Sequence, residues 1–133
     1  MPRVKSINQT IVVAATPLEV YEAFVNARKH AAFTNSPATG LARVGAKFTA
    51  WDGYISGVHR RLVKGRRIVQ DWQTSQWPEG APPSKLDLTF TRVKRGTAVR
   101  MHHSNVPAEQ AASYRQGWID YYWTPLKAYF RKQ

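Results

Sequence analysis

Three polar residues, His59, Gln70 and His103, interrupt segments in which the other alternate positions are apolar. An imidazole can transfer a proton near neutral pH or bind a metal, whereas a glutamine amide only donates and accepts hydrogen bonds. If these side chains face a core, they need partners, which could be one another, the hydroxyls of Tyr121 or Tyr122, water or a ligand. An apolar pocket with a few polar groups is the usual form of a small-molecule site. The pattern therefore predicts a ligand cavity, with mutual hydrogen bonding in a packed core as the alternative.

Catalytic and metal-binding arrangements do not stand out in this sequence. It has no Ser-His-Asp set, no paired carboxylates and no glycine-rich phosphate loop. It contains no cysteine, which excludes a disulfide scaffold, a thiolate zinc site and a cysteine nucleophile. Its four histidines do not follow the His-x-x-x-His spacing of a metal-binding helix. We therefore expect a non-enzymatic protein without a metal or another cofactor.

Length and charge narrow the class of protein further. The 133 residues suffice for one folded domain, which we expect to span 1–133. No apolar run approaches the roughly 18 residues of a membrane helix, and the N-terminus lacks a signal-peptide core, so we expect a cytoplasmic protein. The net charge of +12 favours acidic partners. Nucleic acid is not the expected partner, because the interleaved basic and aromatic motifs of single-strand readers are missing.

The hydrophobic periodicity predicts the elements that would position the polar residues. A β-branched stretch at 3–15 predicts a strand, and Thr16-Pro17-Leu18-Glu19 is typical of a helix start that opens one or two helices. Asp52-Gly53 predicts a hairpin turn within a five-stranded antiparallel meander from about residue 45 to 104. A long helix should then run from about Pro107 to Arg131. Helices on one face of an antiparallel sheet define an α+β fold, here a curved sheet around a long C-terminal helix.

The Asp52-Gly53 turn also determines which side chains share a face of the sheet. A two-residue loop pairs Trp51 with Tyr54 and Ala50 with Ile55, and alternation then divides the meander into an inner and an outer face. We expect Trp51 and Tyr54 to lie on the outer face as a cross-strand aromatic pair. The inner face would grip the helix and form the predicted ligand site. Its candidate residues are Phe48, His59, Gln70, Trp72, Leu88, Met101, His103, Trp118 and Tyr122.

Basic residues cluster at two of the predicted turns. The turns at Lys64-Gly65 and Lys94-Arg95-Gly96 each join consecutive strands, so both should lie at the end of the sheet opposite the Asp52-Gly53 turn. The last helix should run back towards this end and bring Arg131 and Lys132 with it. We predict a basic rim there that binds an acidic protein partner, with a solvated surface that has no partner as the alternative. The candidate residues of this basic rim are Lys64, Arg66, Arg67, Lys94 and Arg95.

Several motifs spread over residues 10–130 are similar to those of a known family. They include Trp77-Pro78-Glu79-Gly80 in a predicted loop, Asp52-Gly53-Tyr54 at the hairpin, and Arg115-Gln116-Gly117-Trp118 followed by Tyr121-Tyr122-Trp123 in the last helix. On these residues the sequence resembles the Aha-type domain, named for activators of the heat-shock protein 90 ATPase. This domain belongs to the START-like, or SRPBCC, superfamily.

The resemblance implies a helix-grip fold of the START-like, Bet v-like kind and leaves two functions open. Related START-like domains bind an apolar small molecule between sheet and helix, which agrees with the predicted ligand cavity. In eukaryotic co-chaperones the domain is the second of two, so the resemblance also implies a protein-interaction module with heat-shock protein 90 as partner, in the stress response. We expect a stand-alone domain, as a monomer or a homodimer. Ligand binding is our first hypothesis, and the chaperone partner is the alternative.

Overall fold

A computed structural model describes residues 3–131 and contains the sheet and the long helix that the sequence predicts. Its strands are β1 (Val4–Val13), β2 (Thr39–Gly40), β3 (Lys47–Ala50), β4 (Ile55–Val63), β5 (Arg67–Thr74), β6 (Ser84–Val93) and β7 (Gly96–Pro107). They form one antiparallel sheet in the order β1-β7-β6-β5-β4-β3-β2. Two helices, α1 (Pro17–Val25) and α2 (Ala27–Thr34), follow β1. The C-terminal helix consists of α3 (Ala108–Trp118), a π-helical segment (Ile119–Trp123) and α4 (Thr124–Arg131).

One face of the curved sheet packs against these helices. Alternate residues of β6, among them Leu88 and Phe90, are buried on this inner face. The ring of Phe90 contacts that of Phe24 in α1, and the indole of Trp72 in β5 stacks on that of Trp118 in α3. The predicted α+β helix-grip fold is therefore confirmed.

The β3–β4 hairpin has the register that the Asp52-Gly53 turn predicts. Ala50 pairs with Ile55, and Phe48 pairs with Gly57. Both turn residues have positive φ, 56° and 88°, as a two-residue turn between twisted strands requires. The sequence does not predict β2, because a strand of two residues is too short to show a period.

The C-terminal helix widens at its π-helical segment, where the sequence predicts an unbroken helix. The N–H of Thr124 donates to the carbonyl oxygen of Ile119, five residues earlier. The wider turn lets Trp118 and Trp123 stack with ring centroids 5.2 Å apart, while Tyr122 also stays buried. In the part of the chain that the structure describes, no helix is long and apolar enough to cross a membrane.

Candidate ligand-binding site

An open pocket of about 430 Å³ lies between the β3–β4 turn and the C-terminal helix. On the sheet side it is lined by Trp51 and Tyr54 at the turn, Ile55 at the start of β4 and Trp72 in β5. We name it the aromatic pocket, because seven of its ten lining residues carry an aromatic ring. Its position between sheet and helix is the one that the sequence predicts for a ligand cavity.

The backbone of the turn directs Trp51 towards the helix, and the expectation that Trp51 and Tyr54 lie on the outer face is wrong. Trp51 has a φ of 51°, so its side chain no longer follows the alternation of β3. Its ring meets that of Tyr121 edge to face, with centroids 5.3 Å apart. Tyr54 also lines the pocket, where its hydroxyl donates to Oε1 of Gln76 at 2.8 Å. The register was predicted correctly, but alternation does not extend into a left-handed turn.

The helical wall of the aromatic pocket consists of two neighbouring rows of residues. Tyr114, Trp118 and Tyr122 form the deep row, and each is less than a tenth exposed. The outer row is formed by Ser113, Gly117 and Tyr121, which follow one another at intervals of four residues.

Hydrogen bonds within the protein already engage the deep hydroxyl of Tyr114. Its Oη donates to Oε1 of Gln110 at 2.7 Å and lies 2.7 Å from Oγ1 of Thr74. Since the tyrosine proton is used on Gln110, the threonine hydroxyl must donate to Tyr114. Burial raises the pKa of Tyr114 above its ordinary value, so this ring is neutral at physiological pH.

The deepest hydroxyl, that of Tyr122, is bonded to a buried histidine of α2. Nδ1 of His30 lies 3.1 Å from the carbonyl oxygen of Phe24, which can only accept, so Nδ1 carries the proton. Nε2 of His30 then accepts from the Tyr122 hydroxyl at 2.9 Å. Burial lowers the pKa of His30 and raises that of Tyr122, which keeps both groups neutral. The indole nitrogen of Trp51 lies close enough to this hydroxyl to oppose the rise in its pKa, yet forms no hydrogen bond of good geometry with any described residue.

His103 belongs to a second buried network beside the pocket. The Ser84 hydroxyl donates to the carbonyl oxygen of Trp72, so its oxygen accepts from Nε2 of His103 at 2.8 Å. Nδ1 of His103 accepts from the indole N–H of Trp118 at 3.1 Å. Burial, with a smaller contribution from the charge of His102, lowers the pKa of His103 to about 3.

His59 and Gln70 form one hydrogen bond with each other on the inner face of β4 and β5. Nδ1 of His59 lies 3.3 Å from Nε2 of Gln70, and the imidazole stacks on the ring of Phe48. Both polar residues are buried, as their alternation predicts, and burial lowers the pKa of His59. The mutual hydrogen bonding that the sequence left open as an alternative is the arrangement in the structure.

The structure separates the nine predicted ligand-binding residues into two groups. Trp72, Trp118 and Tyr122 line the aromatic pocket. The other six are buried in the core around it, and their role in binding stays a prediction: Phe48, His59, Gln70, Leu88, Met101 and His103. Sequence reasoning missed the residues at the mouth of the pocket, chiefly Trp51, Gly117 and Tyr121.

The topology places both basic turns at one end of the sheet. The β4–β5 turn closes at the pair Val63 and Arg67, and the β6–β7 turn closes at Val93 and Gly96. Since the strands between them are antiparallel neighbours, the two turns lie at the end opposite the β3–β4 turn. Four of the rim residues are exposed there, namely Lys64, Arg66, Lys94 and Arg95. Lys132, expected to join them, lies outside the described residues.

Arg67 differs from the other four residues of the predicted basic rim. Its Nε and Nη2 donate to the two carboxylate oxygens of Asp87, at 3.0 and 2.7 Å. The hydrogen bonds and charge of Asp87 raise the pKa of the guanidinium. Arg67 is therefore half-buried in an ion pair across β5 and β6, rather than available to a partner at the turn. A second pair, between Arg60 and Asp71, links β4 and β5 in the same way.

The helix-grip fold and a pocket between sheet and helix define a START-like domain. Residues 14–131 match the family described as Activator of Hsp90 ATPase homolog 1-like protein, and the chain belongs to this family. It is 36% identical, over 115 residues, to the human protein named Activator of 90 kDa heat shock protein ATPase homolog 1. That match covers 86% of this chain but 34% of the human one, so the chain spans about a third of the length of this relative.

Two solved structures have the same fold. An HSP90 activator from Plasmodium falciparum superposes with a TM-score of 0.85 at 24% identity, over 92% of this chain and 94% of that one. The Aha1 dimer from Colwellia psychrerythraea superposes with a TM-score of 0.78 at 19% identity, over 93% of this chain and 95% of that one. At these identities the similarity establishes the fold alone.

Proposed function

We propose that this domain binds an apolar small molecule in the aromatic pocket. One observation carries the proposal: the left-handed β3–β4 turn and the π-helical segment, two irregular backbone segments, both place aromatic rings in this pocket. The left-handed turn presents Trp51 and Tyr54, and the π-helical segment presents Tyr121 and Tyr122. A bulky residue with positive φ and a π-helical turn each cost stability, and both are enriched at functional sites.

The proposed activity is binding without chemical conversion. The histidines nearest the pocket, His30 and His103, are buried and use both ring nitrogens in hydrogen bonds within the protein. Neither is free to take a proton from a ligand. A bound molecule should therefore be recovered chemically unchanged after prolonged incubation with the protein, which mass spectrometry of the extracted ligand measures.

Native mass spectrometry of gently purified protein tests the binding function directly. We expect a bound species of defined mass that disappears on denaturation. Tyr121→Ala, which opens the mouth of the pocket, should reduce its occupancy, whereas Gln116→Ala on another face of the helix should not. A protein that emerges empty and also takes up no member of a panel of apolar compounds would refute the proposal.

A chaperone partner is the second candidate function, favoured by the 36% identity to the human protein and by the basic rim. We propose that a heat-shock protein 90 in the cytoplasm binds this domain through acidic residues that face Lys64, Arg66, Lys94 and Arg95. Charge pairs at an exposed rim are screened by salt over roughly 8–10 Å, so the affinity should fall steeply from low to physiological ionic strength.

Charge reversal separates this hypothesis from general attraction to a basic protein. Calorimetric titration with purified heat-shock protein 90 should show weaker binding for the variant Arg66→Glu, Lys94→Glu, Arg95→Glu. The control is the triple variant Arg3→Glu, Lys5→Glu, Lys85→Glu, which changes the net charge by the same amount at the opposite end of the sheet and should retain the affinity. Equal losses of affinity in the rim variant and the control would mean that only non-specific charge attraction is involved. Undiminished binding by the rim variant would exclude the basic rim as the binding surface.

A further inference from the structure

The aromatic pocket contains no side chain that could balance a ligand charge. None of its ten described lining residues is acidic, basic or a histidine. A charged group that entered would lose its hydration without gaining an ion partner, which is costly. The hydroxyls of Tyr54, Tyr114 and Tyr122 are already bonded within the protein. The interior therefore offers mainly ring surfaces, together with the buried indole N–H of Trp51, which has no acceptor among the described residues.

The walls of the pocket are suited to a flat molecule. Trp72 and Trp118 stack with an interplanar angle of 30°, and Trp51 and Tyr121 meet edge to face beside them. Aromatic ligands can adopt either of these arrangements with such rings, which adds to the energy of burial. A cavity of about 150 Å³ holds one benzene, so roughly two to three fused rings fit a pocket of this volume.

Gly117 has an unusual position in the wall of the pocket. A glycine inside a helix costs roughly 1 kcal/mol relative to alanine. Close packing does not require it here, because a Cβ at Gly117 would meet only Cδ2 of Tyr121, at an ordinary 3.8 Å. Its missing side chain keeps space open between Ser113 and Tyr121, in the outer row of the helix.

We propose that the aromatic pocket takes an uncharged, flat polycyclic aromatic molecule, and that Gly117 determines how far this molecule can enter. The proposal rests on the ligand-binding function proposed above and names the chemical class of the ligand. Gly117 is then a specificity-determining residue, since a side chain larger than that of alanine would occupy the space of the ligand.

Two fluorescent probes with the same rings test the preference for uncharged molecules. N-phenyl-1-naphthylamine is neutral, and 8-anilino-1-naphthalenesulfonate adds one sulfonate to it. Titrations in about 0.5 M NaCl shorten the screening length to roughly 4 Å, so that the net charge does not recruit the sulfonate. We expect one site per chain and at least about tenfold tighter binding of the neutral probe. The neutral aliphatic compound 1-dodecanol should displace N-phenyl-1-naphthylamine poorly.

Variants of the outer helical row test the role of Gly117. Gly117→Leu should abolish binding of N-phenyl-1-naphthylamine, while Gly117→Ala should retain most of it. Gln116→Leu adds the same side chain outside the pocket and is the matched control. If Gly117→Leu fails to fold by circular dichroism, Ser113→Trp fills the pocket from an exposed position and should have the same effect.

The outcomes distinguish this proposal from the ligand-binding function on which it rests. Equal affinity for the sulfonate, or efficient displacement by 1-dodecanol, overturns the class of ligand. Unchanged binding in folded Gly117→Leu or Ser113→Trp protein overturns the role of Gly117. If the neutral probe does not bind while native mass spectrometry finds a charged or aliphatic ligand, the class is wrong and the function stands. If neither measurement finds a ligand, both are wrong.

Discussion

Single hydrogen bonds determine which ring nitrogen carries the proton in the buried histidines around the pocket. Nε2 of His30 is an acceptor whose only donor among the described residues is the Tyr122 hydroxyl. Tyr122→Phe removes that donor and leaves the nitrogen buried without a partner. We expect the free energy of unfolding, from urea denaturation, to fall by roughly 1–3 kcal/mol.

Tyr121 supplies the control for this substitution. Its side chain is 57% exposed, so Tyr121→Phe should change the free energy of unfolding by less than about 0.5 kcal/mol. Equal losses for the two tyrosines would mean that the bond to His30 does not stabilise the fold.

His103 should make the stability depend on pH in the acidic range. Its pKa is about 3 in the folded protein and near 6.5 when unfolded, so between these values the unfolded chain binds the extra proton. The stabilising contribution is complete above about pH 6.5 and is lost as the pH falls towards 3. In His103→Gln, the plot of unfolding free energy against pH should be less steep by about 1.4 kcal/mol per pH unit between about pH 4 and 6.

A destabilised variant without a titrating group is the right comparison for His103→Gln. Met101→Ala removes a buried side chain of the same strand and should keep the slope of the parent protein. If His103→Gln keeps that slope too, the histidine titrates normally in the folded state.

Alternation along the strands was sufficient to predict that His59, Gln70 and His103 are buried, because burial there depends on the local period. It could not predict their partners. The donor to Nδ1 of His103 is the indole of Trp118, on a helix whose rotation about its axis depends on tertiary packing. For the same reason the sequence could not show whether these three side chains line a ligand cavity or form hydrogen bonds with other protein groups in a packed core.

At the scale of elements, the hairpin shows where sequence patterns stop being informative. The Asp52-Gly53 motif predicted the register, because a two-residue turn permits only one pairing of the flanking strands. The positive φ of Trp51 lies outside the reach of that pattern, since its ring contact with Tyr121 comes from a helix about seventy residues later in the chain. The π-helical segment is a similar case, in which the packing of Trp118 against Trp123 requires one extra residue per turn.

The same substitution should have opposite effects in a strand and in the C-terminal helix. A Cβ at Gly57 in β4 would overlap the carbonyl oxygen of Asp71 and the ring of Phe48, so Gly57→Ala forces neighbouring strands apart. We expect it to cost roughly 2–3 kcal/mol or more in urea denaturation. Gly117→Ala meets no such obstacle and should stabilise the helix by roughly 0.5–1 kcal/mol. Losses at both positions would indicate that Gly117 is needed for packing instead of access.

For the whole molecule, counting strand reversals predicted the end at which the basic turns lie, because antiparallel topology leaves no other arrangement. It could not predict which charges are paired. The ion pair of Arg67 with Asp87 is diagonal to the strand register, in which Arg67 faces Thr89. Such pairs depend on side-chain conformations that no periodicity encodes.

The net charge of +12 gives a prediction that separates paired from unpaired cations. An excess of positive charge destabilises a compact protein through self-repulsion, and salt screens it. Lys94 is exposed and forms no ion pair with any described residue, so Lys94→Glu should raise the urea midpoint at low salt, and the gain should vanish in about 0.5 M NaCl. Arg67→Glu changes the net charge equally but places a carboxylate beside Asp87, so it should lower the midpoint in both buffers. If both variants raise the midpoint at low salt, net charge outweighs the ion pair in the stability of this domain.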